Sequence, residues 1–345
     1  MVVDNIEISA KGKWIRVPAL DVRGRFITVR GGLVKLAVIH DEWWLETELD
    51  DPEACIRKLR EQQSHGLLAD IFTFTQKIPG SSAQYQYATE WESVAAAHTS
   101  NFKEWWEKLP QESRKNVRRS QKRGVVIQAQ EFDDQLVRGI MGVNNESPMR
   151  QGVPNAHFGK SFDQVRKDHE SFLDRSEFIC AYFENELIGY LKLVYKGNVA
   201  AILNLAVKAN QSDKRPANAL IATAVERCAK RGMSHLTYGL FNYGNKRDSP
   251  LREFKSRNGF EEVLTPRYYV PLTYWGSFAL KMKLHRGLLG ILPHSLISLG
   301  INARVKWYNS TQSLLSRCSS MLERPNRIRQ TERSIPPAGS NSDSE

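Results

Sequence analysis

An α/β fold is predicted by three observations in the second half of the sequence. First, three runs rich in β-branched and aromatic residues, 178–183, 187–195 and 199–207, are separated only by Glu184-Asn185-Glu186 and Lys196-Gly197-Asn198. Those are residue types that tight hairpin turns demand. Second, residues 216–231 have helical spacing: Ile221, Ala224, Val225 and Cys228 share one face, and Gly232 ends the segment. Third, a strand over 235–241 follows. After it come a short helix over about 251–257, an Asn258-Gly259 turn and a last strand starting at Arg267.

Residues 1–99 read as a small α+β region. The runs 14–17, 26–29 and 34–39 carry β-branched residues, punctuated by Gly24 and Gly31-Gly32. Asp51-Pro52 opens a helix to about Gln62, with Pro in its first turn. Residues 72–75 suit a strand, and 79–82 a loop. Phe102, Trp105, Trp106 and Leu109 then recur at i, i+3, i+4 and i+7, one apolar helix face, and Pro110 breaks it. A second helix runs over 111–123 to Gly124, a strand over 125–129 follows, and Asp133 or Asp134 caps a helix carrying Leu136, Ile140 and Val143.

The 345 residues suggest roughly two domains. With 41% hydrophobic and 25% charged residues, wholesale disorder is excluded. A net charge of +11 points to anionic company. Cys55, Cys180, Cys228 and Cys318 are scattered, without metal spacing, so we expect buried thiols rather than a disulfide framework, and no metal site. The N-terminus has no apolar h-region, and the uncharged run 287–303 is 17 residues, short of the ~20 that span a bilayer. Residues 273–324 form a basic helical extension, and 271–335 hold ten Lys or Arg against two Glu. Residues 325–345 are polar and Pro/Ser-rich and read as a disordered tail. A cytoplasmic protein is expected, in peripheral contact through 273–324 with the inner membrane face, and no DNA partner is expected.

The helix over 111–123 is the most charged feature. Six of the eleven residues from Ser113 to Arg123 are Lys or Arg. Arg114, Arg118 and Lys122 fall at i, i+4, i+8, where like charges repel. A polyanion would relieve that repulsion, so Arg118 and Lys122 are candidate substrate contacts.

Four features, in this order and spacing over about residues 100–272, resemble the acyl-CoA N-acyltransferase (GNAT) superfamily. Within it they are most similar to Fem-type aminoacyltransferases and to uncharacterised relatives from bacterial envelope-polysaccharide contexts. They are the Arg114–Val125 basic stretch, Glu146-Ser-Pro-Met-Arg-Gln-Gly152, Pro216–Gly232, and Phe254-Lys255-Ser-Arg-Asn-Gly259-Phe260. The resemblance implies a GNAT-like mixed sheet flanked by helices over 100–272, and acyl-CoA as co-substrate, with aminoacyl-tRNA as the other donor. It places the donor along the central strand end, Leu205 and Val207, and at the following helix N-terminus, where amides and helix dipole favour an anion. Lys214, Arg215, Ala217, Asn218 and Ala219 stand in that loop. Ala217 replaces the usual middle Gly, and Pro216 removes one donor N–H. Lys255 occupies the slot where many acetyltransferases carry a Tyr acid. The resemblance puts its ammonium near the reacting ester, where it would stabilise an oxyanion.

Acyl transfer also needs a base, and Glu146, Tyr243, Asn242 and Asp248 are polar residues in suitable stretches. Arg150 and Gln151 are candidates to hold an acceptor carboxylate or phosphate. No chain order suggests a Ser-His-Asp triad. Tyr268 and Tyr269 read as core and rim of the last strand, and His157 and His169 as structural. The expected function is acyl or aminoacyl transfer onto an amine or hydroxyl of a bacterial cell-envelope sugar or peptide precursor, an anionic small molecule or a lipid-linked glycan. The alternatives are a non-catalytic module binding a phosphorylated glycan precursor or assembly partner, and RNA binding by the basic helix.

Overall fold

Alternating side chains turn the first forty residues into an antiparallel meander: β1 (Asp4–Ala10), β2 (Lys13–Val22), β3 (Arg25–Arg30) and β4 (Leu36–Ile39). Arg23 and Gly24, both at positive φ (53° and 77°), make the β2–β3 turn. The computed structural model describes residues 4–10, 13–41, 49–63, 67–80, 82–150, 153–242 and 249–287. Helix α1 (Pro52–Gln62) starts where the Asp51 carboxylate accepts from the Ala54 amide at 2.9 Å. Strand β5 (Ile71–Thr75), buried at every position, pairs parallel with β4.

Strand β6 (Ala88–His98) is absent from the reading of the sequence. Its Ala95-Ala96-Ala97 run has weak intrinsic strand preference. Pairing with a neighbour on each side makes it a strand, and those alanines are buried. Helices α2 (Phe102–Lys108) and α3 (Gln111–Lys122) follow, then β7 (Val126–Gln130) and α4 (Asp134–Asn144), which is capped by Asp133. A small hairpin, β8 (Met149–Arg150) and β9 (Val153–Pro154), and helix α5 (Phe162–His169) were also not anticipated. The predicted meander is β10 (Ser176–Phe183), β11 (Glu186–Lys196) and β12 (Val199–Val207). Helix α6 (Pro216–Lys230), β13 (His235–Leu240), α7 (Pro250–Arg257), β14 (Glu261–Pro271) and α8 (Tyr274–Lys281) complete the described chain.

Twelve strands form one mixed sheet, in the order β1-β2-β3-β4-β5-β14-β6-β13-β12-β11-β10-β7. The sheet is continuous across residue 99, because β6 joins β13 on one side and β14 on the other. One core packs Trp105, Leu109 and the α6 face Leu220, Ile221, Ala224, Val225 and Cys228 against β10–β13. Another packs Ile27, Ile56, Leu59, Phe72, Phe74 and Tyr268 on the β2–β5 side. Tyr268 is fully buried and Tyr269 half-buried, the core and rim positions expected of them. Cys55, Cys180 and Cys228 are buried free thiols whose pKa values burial pushes up, to about 11, 12 and 12. His169 is also a core residue, hydrogen-bonded to the Val165 carbonyl and Tyr190 hydroxyl. Among the described residues no helix is long and apolar enough to cross a membrane. Cys318, residues 288–324 of the basic extension and the 325–345 tail lie outside the described residues.

Candidate active site

The site is made by two strands that part. Strands β12 and β13 pair in parallel over three positions only, Val199, Ala200 and Ala201 with His235, Leu236 and Thr237. From Ile202 onward β12 is paired on its β11 side alone, so a V-shaped opening widens toward Leu205 and Val207, both half-buried. Gly189 on β11 lets β12 come close there, since a Cβ would lie 2.7 Å from a Val207 methyl.

Beyond Val207 the chain makes a short 3-10 turn over Ala209–Lys214. Arg215 adopts left-handed geometry (φ 57°) and reverses the chain into α6, with Pro216 in its first turn. No described side chain caps this end. The first-turn amides of Ala217 and Asn218 are therefore available to an anion, and the helix dipole adds to the attraction. Pro216 has no N–H and the Arg215 amide donates to the Ser212 carbonyl at 3.1 Å, so two first-turn amides are left.

A cavity of about 490 Å³ lies at this end of α6. Val207, Arg215, Ala217 and Asn218, four of the seven residues expected at the donor, line it. Asn116 of α3 and Phe254 of α7 close its sides. Ala219 turns to a second cavity of about 620 Å³, shared with Trp106 and Val117, and Leu205 packs on the core. Lys214 points elsewhere, with Nζ 4.4 Å from the Phe183 ring centroid and 3.7 Å from the Asp213 carboxylate.

Glu146 does not face the opening as a free base. Its carboxylate accepts from the Ala209 amide at 2.6 Å and the Asn210 amide at 2.7 Å, clamping the start of the 3-10 turn. Asn242, at the end of β13, donates to Ser93 Oγ at 3.1 Å and Glu262 at 2.8 Å, tying β13 to β6 and β14. Lys255 is fully buried, and its Nζ donates to the Tyr238 and Leu240 carbonyls at 2.6 Å each, 4.5 Å from the Tyr238 ring centroid. Burial pushes its pKa down to about 8. The ammonium thus anchors the strand beside the opening. Tyr243, Asp248 and Gln151, and the side chain of Arg150, lie outside the described residues.

Arg118 and Lys122 stand with Lys115, Arg119 and Arg123 around a cleft of about 480 Å³ on the outer face of α3. Arg118 also covers the Trp106 ring, 5.8 Å from its centroid. Arg123 Nη1 donates to both the carbonyl and the carboxylate of Asp213, 2.7 Å each, so the basic face is joined to the 3-10 turn that precedes α6.

Asn258, half of the Asn-Gly turn in the Phe254–Phe260 run, was not among the expected site residues. Asn218 Nδ2 donates to Asn258 Oδ1 at 2.9 Å, and Asn258 Nδ2 to the Phe254 carbonyl at 2.7 Å, joining the start of α6 to α7. Gly259 is required next to it, for its φ is 76° and a Cβ would lie 2.5 Å from Trp105 Nε1.

Residues 148–247 match the acetyltransferase (GNAT) family model. No curated protein matches the chain. Among solved structures, FemX superimposes with a TM-score of 0.52 at 10% identity, over 82% of this chain and 90% of that one. The C-terminal domain (DUF2156) of a putative lysylphosphatidylglycerol synthetase from Agrobacterium fabrum gives a TM-score of 0.50 at 12% identity, over 79% and 89%. The parted β12–β13 pair, the uncapped helix after it and these superpositions agree on one architecture: the chain has the GNAT fold, in an arrangement shared over most of its length with FemX.

Proposed function

We propose that the chain is an acyltransferase. It passes an acyl or aminoacyl group from a thioester or ester donor to an amine or hydroxyl of a bacterial cell-envelope sugar or peptide precursor, on the cytoplasmic side. The observation that carries this reading is the opening between β12 and β13 leading to the uncapped N-terminus of α6. A donor's pyrophosphate or phosphate would sit on the Ala217 and Asn218 amides, and the open edge of β12 would hold its extended arm. The acceptor heteroatom attacks the donor carbonyl carbon, the tetrahedral intermediate collapses, and the thiolate or alkoxide leaves as the acceptor gives up its proton. With acyl-CoA as co-substrate the cavity at Arg215 and Asn116 takes the phosphates. With aminoacyl-tRNA the basic face of α3 follows the polyanion.

A second reading, a non-catalytic module that binds a phosphorylated glycan precursor, is favoured by one observation. Lys255 and Glu146, two of the side chains expected to act in chemistry, are both engaged with backbone groups. Thermal-shift titration of the full chain with a panel of acyl-CoAs and charged tRNAs, followed by product detection with amino-sugar acceptors, tests the proposal. Stabilisation by one donor class, lost in Asn218→Asp, and donor-dependent product are expected. Binding of nucleotide-sugar phosphates without turnover would favour the module, and no response to any donor would overturn the acyltransferase reading.

A further inference from the structure

Helix α8 has its amphipathicity reversed. Its small residues face the protein: Gly276 and Ala279 are buried, and a Cβ on Gly276 would lie 1.9 Å from the Asp70 carbonyl oxygen. The helix thus rests against the start of β5 at backbone distance. Leu280 also packs inward, but the helix's other large apolar residues face outward. Tyr274 is 98% exposed, Met282 56%, Phe278 51% and Trp275 39%. Positions 274, 275, 278 and 282 fall on one helical face.

Leu33, 74% exposed, extends this face, because Trp275 Nε1 donates to the Leu33 carbonyl at 3.0 Å. The Trp275 and Phe278 rings stack with centroids 5.5 Å apart. Five of the twelve large apolar side chains that are exposed among the described residues gather here, which scattered surface residues do not do. A helix that met only water would gain by turning these rings inward.

Charge indicates what meets them. Lys281 and Lys283 are exposed at the same end of the helix. Between Glu262 and Glu323 the sequence has no acidic residue; of its basic residues there, Arg267 and Arg286 are paired with Glu92 and Glu90, which leaves Lys281, Lys283, Arg304, Lys306 and Arg317. Aromatic side chains with polar edges settle at the headgroup level of a bilayer, and lysines beside them are drawn to an anionic leaflet. We propose that the outer face of α8, formed by Tyr274, Trp275, Phe278 and Met282 with Leu33, docks on an anionic membrane surface, with Lys281 and Lys283 at the headgroups. This does not depend on the acyl-transfer reading.

Sedimentation of the full chain with phosphatidylglycerol/phosphatidylcholine vesicles tests the proposal, with phosphatidylcholine-only vesicles as control. Binding to the anionic vesicles, weakened by salt, is expected. The double variant Tyr274→Ser, Phe278→Ser should keep the wild-type Tm and bind at least tenfold more weakly. Brominated lipid should quench tryptophan emission in wild type and much less in Trp275→Phe. Wild-type binding by the folded double variant would assign any membrane contact to the basic segment beyond α8 and overturn the proposal. So would an absence of binding, or a Tyr274/Phe278-dependent dimer that ignores vesicles.

Discussion

The Lys255 ammonium lies 2.6 Å from the Leu240 carbonyl oxygen and 2.6 Å from that of Tyr238, just where the register of β13 on β6 breaks, between Thr237 and Leu240. These are carbonyls of the strand that departs from β12. The side chain therefore satisfies backbone groups at the base of the opening, and helix α7 is held to β13 by it.

Removing that ammonium should cost stability. Lys255→Met keeps the aliphatic stem but leaves buried carbonyls without their donor, a loss of ~2–4 kcal/mol by chemical denaturation. Burial lowers the folded pKa from 10.5 to about 8, so between those values the unfolded chain binds more protons than the folded one. The stability gap between wild type and Lys255→Met should thus widen as pH rises from 8 to 10.5. A variant as stable as wild type at every pH would show that the carbonyls find other partners.

His169 makes the fold acid-sensitive. Its Nδ1 lies 2.8 Å from the Val165 carbonyl, which can only accept, so Nδ1 carries the proton and Nε2 accepts from the Tyr190 hydroxyl at 3.0 Å. Burial, with the neighbouring Lys192 ammonium acting in the same direction, pushes its pKa from 6.5 down to about 4. The stability of the neutral form is present above pH 6.5 and is lost as pH falls toward 4, a change of about 3 kcal/mol. Denaturation of wild type and His169→Gln at pH 7 and pH 4.5 should show the difference between them shrinking in acid. A constant difference would sink this account.

Glu146 is a positioning residue on this geometry, since it holds the Ala209 and Asn210 amides of the turn that leads to α6. Glu146→Gln should raise the donor KM ~3- to 10-fold and leave kcat and the shape of its pH profile unchanged. Loss of the acidic limb of that profile would instead identify Glu146 as a base.

The basic face of α3 should serve affinity and not folding. Arg118→Glu with Lys122→Glu removes two cations from the rim of the outer cleft and the Arg118 contact with Trp106. The Tm should move by only a few degrees, while donor affinity falls at least tenfold at low salt and loses most of its salt dependence. Unchanged affinity would make these cations a solvated surface.

Much of the chain's architecture was determined by the sequence alone. The turns at Glu184-Asn185 and Lys196-Gly197, the periodic face of α6 and the Phe254–Phe260 run order the second half as a GNAT-like unit, because hairpin turns and helical periodicity are local properties. The basic face of α3 was legible for the same reason, whereas Val207, Arg215, Ala217 and Asn218, which line the cavity at the start of α6, were named only through the family resemblance. Only the tertiary structure decided the rest. Strand β6 is a strand because β13 and β14 flank it, which its alanines could not announce. Lys255 and Glu146 are consumed by backbone groups 15 to 64 residues away in sequence, and Asn258 reaches Asn218 across 40. The outward face of α8 depends on the Asp70 carbonyl pressing on Gly276. A residue's type and neighbours fix what it can bond; which group it meets is set by long-range packing, and that packing set Lys255 and Glu146 against backbone groups.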